Sequence, residues 1–280
     1  MAYQLDDNNV NLSLLMEQNK NTYTKSEQKL YTYITENFEQ IVYQSLTELA
    51  IACQVGEATV LRFCRKLGCK GYQEFKLSLA RELSNRDKNN NHGTYIDKVR
   101  NNMIQAIEDT HHLVDDEQLQ KAVEMINEAK TAVIYGVSSS GIAGLDMQNR
   151  LMRIGVNFEV ITDSHNQVIR SNSVNKDTVI IAISLTGSTK DIINAVKIGK
   201  DNGAKVIAIT NYMKSPLTQY ADSVLLTSAK ENPLDSGSLV SKISQLFVID
   251  LLCTGITMAN YEKAKQTKEQ IAHTIANKLY

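Results

Sequence analysis

The sequence predicts a small all-helical domain followed by a larger α/β domain whose parallel sheet is flanked by helices. Three observations carry this prediction. Reciprocal capping sequences, Thr24 with Glu27 and Ser45 with Glu48, open two helical periodicities near the start of the chain. The stretch Ser84–Gly93 (SNRDKNNNHG) contains no apolar residue and reads as a linker. Beyond it, Val179–Ile183 and Val206–Ile209 are apolar at every position, which is how strands read when helices cover both faces of a parallel sheet.

The elements follow in order. Residues 1–22 show weak periodicity and read as a loose lead-in. Thr24 caps a helix whose apolar face is Leu30, Ile34 and Ile41. Ser45 opens a short helix through Ala52, Val55-Gly56-Glu57 forms a tight turn, and a third helix runs from Ala58 to Leu67 and stops at Gly68. Gly71–Leu83 makes one more helix, packing Phe75 and Leu79. Residues 1–83 therefore form the first domain, 84–93 the linker and 94–280 the second domain. In the second, helices cover 95–114 and 116–129. Alternating elements follow: strand 131–136, helix 141–154, strands 157–161 and 178–184, helix 189–201, and strands 205–210 and 223–227. Helices 239–258 and 261–278 close the chain.

Composition narrows the class. At 280 residues the chain is long enough for two cores. Its net charge of −1 hides a segregation: residues 1–57 carry three Lys and eight Asp/Glu, whereas 58–90 carry eight Lys/Arg and three Asp/Glu. A local basic segment of this kind is an electrostatic footprint for nucleic acid. The cysteines at 53, 64, 69 and 253 form no CxxC pair, so buried, reduced thiols are expected, with no zinc ribbon. His111 and His112 are adjacent and point to different helix faces, a poor metal pair. No metal or cofactor is expected. Residues 1–20 lack the apolar core of a secretory signal, and the stretch Leu246–Ala259 is interrupted by Asp250 and short for a bilayer. A cytoplasmic protein without a membrane partner is the expectation.

The helices 45–52 and 58–67 have the short turn a helix-turn-helix needs to project its second helix into the major groove of DNA. Leu49, Ala50, Val55, Val60 and Leu67 are spaced to pack the pair. The other face of the second helix carries Thr59, Arg62, Arg65 and Lys66; the Arg and Lys suit phosphates, Arg62 alternatively a guanine edge, and Thr59 a base or a phosphate. A solvated basic helix end would show the same charges. The segregation of charge and the two capping sequences favour DNA.

This region resembles the N-terminal domain of RpiR-type transcriptional regulators. The resemblance runs from about Thr24 to Leu83 and rests on Ser45-Leu46-Thr47-Glu48-Leu49-Ala50, Ala58–Gly68 and Gly71-Tyr72-Gln73-Glu74-Phe75-Lys76. The family usually has Ser where this chain has Gly56, a slightly weaker helix cap.

In the second domain, two hydroxyl-rich turns each follow a buried-type strand: Gly136-Val137-Ser138-Ser139-Ser140-Gly141 and Ser184-Leu185-Thr186-Gly187-Ser188-Thr189. A helix N-terminus offers unpaired N–H groups and a positive dipole end, and hydroxyls add further donors, a setting for a phosphate ester. Walker chemistry is excluded because Ile142 stands where Lys is required. The dinucleotide fingerprint fails because Ser138 replaces its second Gly, although Asp163 mimics the spacing of a ribose ligand.

Residues 95–260 resemble the SIS (sugar isomerase) domain, which the family joins to that helix-turn-helix. The second turn matches its Ser-x-Ser-Gly-x-Thr pattern with Thr186 for the middle Ser. The resemblance implies that Ser184, Thr186, Ser188 and Thr189 hold a phosphate while Ser138 and Ser139, in the turn completed by Ser140, meet the sugar. Gly187 supplies a left-handed turn or a close approach. His165 is placed to meet a sugar hydroxyl or N-acetyl oxygen, and Glu231 follows the last strand, where related isomerase domains can hold a base. The expected protein is a DNA-binding transcriptional regulator, a repressor of sugar catabolism genes. Its effector would be a phosphorylated sugar, with room for an N-acetylhexosamine 6-phosphate. It would act as a homodimer or dimer of dimers on a palindromic, double-stranded DNA operator. No catalytic residue is assigned. The alternatives are a sugar-phosphate isomerase with a helical extension, using Glu231 or His165 as base, and an interaction protein whose basic helix meets an acidic partner.

Overall fold

In a computed structural model of the chain, which describes residues 12–87, 94–228 and 239–276, both capping sequences close as reciprocal hydrogen bonds. Glu27 N–H donates to Thr24 Oγ1 at 3.3 Å and Glu48 N–H to Ser45 Oγ at 3.1 Å, and each glutamate accepts from its cap's own N–H at 2.8 Å. They open α2 (Lys25–Glu36) and α4 (Leu46–Ala52). The chain divides into two compact units, with the boundary between Val99 and Arg100.

In the first unit α2 and α4 are joined by α1 (Leu12–Gln18), α3 (Phe38–Ile41), α5 (Glu57–Lys66) and α6 (Tyr72–Asp87). Leu30, Ile34, Ile41, Leu49, Val60, Phe63, Phe75 and Leu79 are fully buried in one core. The expected loose lead-in is corrected from residue 12: α1 buries Leu12 and Met16, and Ser13 Oγ donates to Glu82 on α6 at 2.5 Å. Two buried apolar residues in a seven-residue helix give too little periodicity to be seen without the partner helix. Ser84–Asp87, read as the start of the linker, continue α6, and 88–93 lie outside the described residues.

The turn between α4 and α5 is also corrected. Its left-handed residue is Gln54, at φ 54°, and Gly56 is an extended N-cap at φ −78°. Gln54 N–H donates to Ile51 O and Val55 N–H to Ala50 O, so the end of α4 closes as a Schellman motif. The end of α5 closes the same way, with Gly68 at φ 87° and Cys69 N–H reaching Cys64 O at 3.0 Å. All four cysteines are free and buried, and burial pushes the Cys64 thiol up to about 12.

Helix α7 (Tyr95–Leu113) crosses the boundary, and α8 (Asp116–Glu128) follows it in the second unit. Its sheet contains β1 (Thr131–Tyr135), β2 (Glu159–Ile161), β3 (Thr178–Ile183), β4 (Lys205–Thr210) and β5 (Ser223–Leu226), all parallel, in the order β2-β1-β3-β4-β5. Between strands lie α9 (Ser138–Met152), α10 (Ser164–Ser171) and α11 (Lys190–Asp201), and α12 (Val240–Ala259) and α13 (Tyr261–Ala276) follow. Ile134, Ile181 and Ile207 point into the core shared with α8, α9 and α12, whereas Val133, Ile180 and Val206 point into the core shared with α11. Two covered faces explain why these strands lack alternation. Sequence periodicity missed α10, and β2 is three residues long because only Glu159–Ile161 pair with β1. Helix α12 starts at Val240 and is long and apolar enough to cross a bilayer by length alone, yet Ser244, Gln245, Val248, Ile249 and Leu252 are buried on its inner face.

Lys76 sits in the first core with its ammonium donating to Gln44 O at 3.0 Å, an oxygen that also accepts from Tyr72 OH at 3.0 Å. Burial lowers its pKa to about 8 from 10.5. The unfolded chain therefore binds more protons than the folded one between those values, and stability rises with pH across the window. Lys76→Met leaves Gln44 O bonded to Tyr72. The variant is expected to unfold at higher urea than the wild type near pH 7, with the gap closing by about pH 10 as the native lysine loses its proton; urea titrations at both pH values check this.

Candidate functional site: two hydroxyl-rich turns and a basic helix

The chain runs β1 to α9 on one face of the sheet and β3 to α11 on the other, so helices leave these neighbouring strands in opposite directions. Open α/β sheets bind ligands in the crevice such a reversal creates, at the carboxyl ends of the strands. Both hydroxyl-rich turns lie there.

The second turn is folded on itself. Gly187 N–H donates to Ser184 O at 3.0 Å, Ser188 N–H to Thr186 Oγ1 at 3.2 Å, and the Ser184 and Thr189 hydroxyls meet at 3.2 Å. Gly187 is left-handed at φ 57°, and a Cβ there would lie 2.2 Å from Ser215 Oγ. Thr189 is the N-cap of α11 yet makes no capping hydrogen bond with its side chain, so among the described residues the first N–H groups of the helix are left open. Thr186 and Ser188 are exposed and Ser184 is buried beneath them. Beneath the turn, the buried Ser215 Oγ has no hydrogen-bond partner among the described residues.

The first turn is shorter than its sequence suggests. Helix α9 begins at Ser138 rather than near Gly141, so Ser138, Ser139 and Ser140 form its first turn, after Val137 as an N-cap that cannot cap with its side chain. Ser138 is left-handed at φ 51°, a conformation that costs an L-residue roughly 1–2 kcal/mol. Ser138 and Ser139 are exposed, and Ser140 Oγ accepts from Gln245 Nε2 of α12 at 3.1 Å. Gly141 and Gly144 let α9 lie close on the sheet, for a Cβ at Gly141 would meet Thr162 at 2.8 Å and one at Gly144 would meet Ile134 at 2.9 Å.

His165 is exposed in the first turn of α10, which follows β2, at the same end of the sheet. Asp163, the residue mimicking a ribose ligand, is the N-cap of α10 and accepts from Asn166 N–H at 2.8 Å. Sequence reasoning missed Gln167 and Gln245. Gln167 is fully buried, donates to Ile161 O at 2.7 Å, and leaves Oε1 without a partner among the described residues. A glutamine on the inner face of a short amphipathic helix was the available signal. Glu231 lies outside the described residues.

In the first unit α5 buries Val60, Phe63 and Cys64, so Arg62 and Arg65 stand exposed and Thr59 half-buried on the opposite face. Arg62 Nη2 donates to Thr59 Oγ1 at 3.0 Å. Lys66 behaves differently. Its ammonium bonds Thr22 O at 2.8 Å and Glu27 Oε2 at 3.1 Å, and lies 5.2 Å from the Tyr23 ring. It ties α5 to the capped end of α2 and departs from the expected free face.

Residues 10–86 match the helix-turn-helix domain of the rpiR family and residues 125–255 match the SIS domain. A protein of Clostridium perfringens named as an uncharacterized HTH-type transcriptional regulator is 36% identical over 264 residues, covering 91% of this chain and 95% of its own. A similarly named Haemophilus influenzae protein is 34% identical, with 90% and 92% covered. Among solved structures, the Vibrio vulnificus NanR protein complexed with ManNAc-6P superposes with a TM-score of 0.86 at 29% identity, covering 96% of this chain and 99% of its own. The sugar isomerase domain of an RpiR transcription factor from Sphaerobacter thermophilus shares the fold, with a TM-score of 0.58 at 22% identity over 63% of this chain and 97% of its own.

The geometry of the second turn fixes an expected outcome. Gly187→Ala combines a left-handed φ with a Cβ driven into Ser215, and should lower stability by about 2 kcal/mol. Gly56→Ser, where a Cβ meets nothing within 4 Å and gains a cap, should raise it by a few tenths of a kcal/mol. Thermal unfolding of both variants against wild type checks the contrast.

Proposed function

The chain belongs to the rpiR family of helix-turn-helix transcriptional regulators, and we propose that a phosphorylated sugar seated on its two hydroxyl-rich turns sets its affinity for operator DNA. The observation that carries this is the pairing of two helix N-termini without side-chain caps, α9 and α11, after the adjacent strands β1 and β3. In this reading the phosphate sits over α11, held by Ser184, Thr186, Ser188 and Thr189 and the open N–H groups of the first turn. Ser138, Ser139 and Ser140 meet the sugar, and His165 reaches it from α10. The NanR protein complexed with ManNAc-6P supports an N-acetylhexosamine 6-phosphate as the effector class. Glu231 completes the proposed set from outside the described residues.

DNA is read by α5, with Arg62 on a base edge or phosphate and Thr59 and Arg65 on the backbone. Lys66, assigned to DNA on sequence, acts here by fixing the angle of α5 against α2. The DNA head runs through the end of α6 at Asp87, and the effector and dimer domain follows from within α7. The protein is a cytoplasmic repressor that binds a palindrome as a homodimer or dimer of dimers, without enzymatic turnover. Exposed Ile142, Leu145 and Met152 on α9 give the second domain an apolar stripe of the kind a two-fold interface covers.

A thermal-shift series with N-acetylmannosamine 6-phosphate, N-acetylglucosamine 6-phosphate, glucose 6-phosphate and their unphosphorylated parents tests the effector half. A true effector at 100 times its Kd adds about 2.7 kcal/mol of stability, and its parent sugar adds none. Equal response to parent and phosphate defeats the phosphate-turn reading. For the DNA half, Arg62→Ala should weaken binding to a selected duplex and reduce the salt slope by about 1 unit. An unchanged salt slope removes Arg62 from the phosphate contacts.

A further inference from the structure

Helix α7 crosses the boundary between the two units, with Tyr95–Val99 in the first and Arg100–Leu113 in the second. It is thinly anchored. Over Tyr95–Leu113 only Ala106 and Thr110 are buried, while Ile96, Val99, Ile104 and Ile107 are exposed. A helix with so little buried apolar surface belongs to the least stable part of a fold, where single hydrogen bonds decide its placement.

Thr110 makes those bonds. It is fully buried, and its Oγ1 accepts from Ser228 N–H at 2.9 Å, donates to Ala106 O at 2.6 Å and lies 3.3 Å from Ser228 O. Ser228, just beyond β5, is the point where supports of both hydroxyl-rich turns meet. Its carbonyl accepts from Ser244 Oγ of α12 at 2.6 Å, and the next residue of that helix, Gln245, donates to Ser140 in the first turn at 3.1 Å. On the other side, its neighbour Thr227 donates through N–H to Thr210 O at 2.9 Å and through its hydroxyl to Asn211. Thr210 Oγ1 and Asn211 N–H both donate to Leu185 O, in the second turn, at 3.1 and 2.9 Å.

We propose that Thr110 is a positioning residue that couples α7, and through it the DNA head, to the effector site by way of Ser228. A shift of Ser140 or Leu185 when the sugar phosphate seats is carried by Gln245 and Asn211 to Ser228, and changes its hold on Thr110. The hydroxyl keeps its acceptor within α7, the Ala106 carbonyl, when Ser228 withdraws. Latched and released states therefore differ only in the contacts of Thr110 Oγ1 with the Ser228 backbone, a difference small enough for effector binding to choose between them. This inference rests on the sugar-switch reading above.

The test uses the full chain as wild type, Thr110→Val, Thr110→Ser and Ser244→Ala. The probes are N-acetylmannosamine 6-phosphate and a duplex selected by the wild type from random sequence. Duplex affinity is measured with and without the sugar, alongside hydrogen exchange of α7. In the wild type the two affinities should differ by about tenfold or more. In T110V, which keeps the shape and the β-branch but not the acceptor, and in S244A, the ratio should fall toward one. T110S should retain it. Exchange across Ala106–Leu113 should be faster in T110V and unchanged in α8. A wild-type ratio with unchanged α7 exchange in T110V overturns the latch, and so does loss of the ratio in T110S. If the wild type itself shows no ratio, the sugar-switch reading has failed, and α7 exchange in T110V then decides the latch alone.

Discussion

The switch of face between the connections leaving the parallel strands β1 and β3 is the constraint on which the second half of the molecule depends. Because α9 and α11 leave these neighbouring strands toward opposite faces, neither covers the strand ends, and the sheet opens a crevice there. The closely packed glycines sharpen it. Gly141 and Gly144 let α9 lie against Thr162 and Ile134 without a gap, and Gly187 folds the second turn over Ser215. The apolar strands Val179–Ile183 and Val206–Ile209 need covering on both faces, and α9 and α11, whose N-termini frame the crevice, are among the helices that cover the sheet. Core and site are thus built by one set of connections.

Side-chain capping is uneven among the helices. Thr24, Ser45, Asp115 and Asp163 satisfy the first turns of α2, α4, α8 and α10 with their own side chains. The N-caps of α3, α5, α9, α11 and α12 do not, and three of these helices, α5, α9 and α11, are the ones proposed to meet anionic partners. An uncapped first turn forgoes roughly 1 kcal/mol of local stability and keeps N–H groups free for an outside acceptor. Ser138 adds backbone strain at the same place, in the manner of sites whose geometry the surrounding fold imposes.

Much of this was legible in the sequence, because the signals were local. Capping pairs, two-sided apolar strands and Gly68 each announce themselves within a few residues, and the structure places them as read. What was not legible depends on partners far along the chain. Leu12 and Met16 become core only against the other helices of the first unit, and Gln54 takes the left-handed turn position because Val55 must reach Ala50 O. Ser138, Ser139 and Ser140 could be seen as a hydroxyl cluster, but not as the first turn of a helix. The buried orphans Gln167 Oε1 and Ser215 Oγ become visible only when surrounding atoms are counted. Lys66 looked like its neighbours Arg62 and Arg65 on a helical wheel, and only the position of Glu27 distinguishes it.

That distinction has a consequence for how such proteins diverge after gene duplication. The Glu27 carboxylate closes the cap of α2 and holds Lys66, so the docking of α5 is inherited as part of the scaffold. Thr59 and Arg62 bond to each other on an exposed face, and no other part of the described fold leans on that bond. Under the proposed DNA reading, daughter copies can exchange these two side chains and acquire new operators while the frame held by Glu27 and Lys66 stays intact.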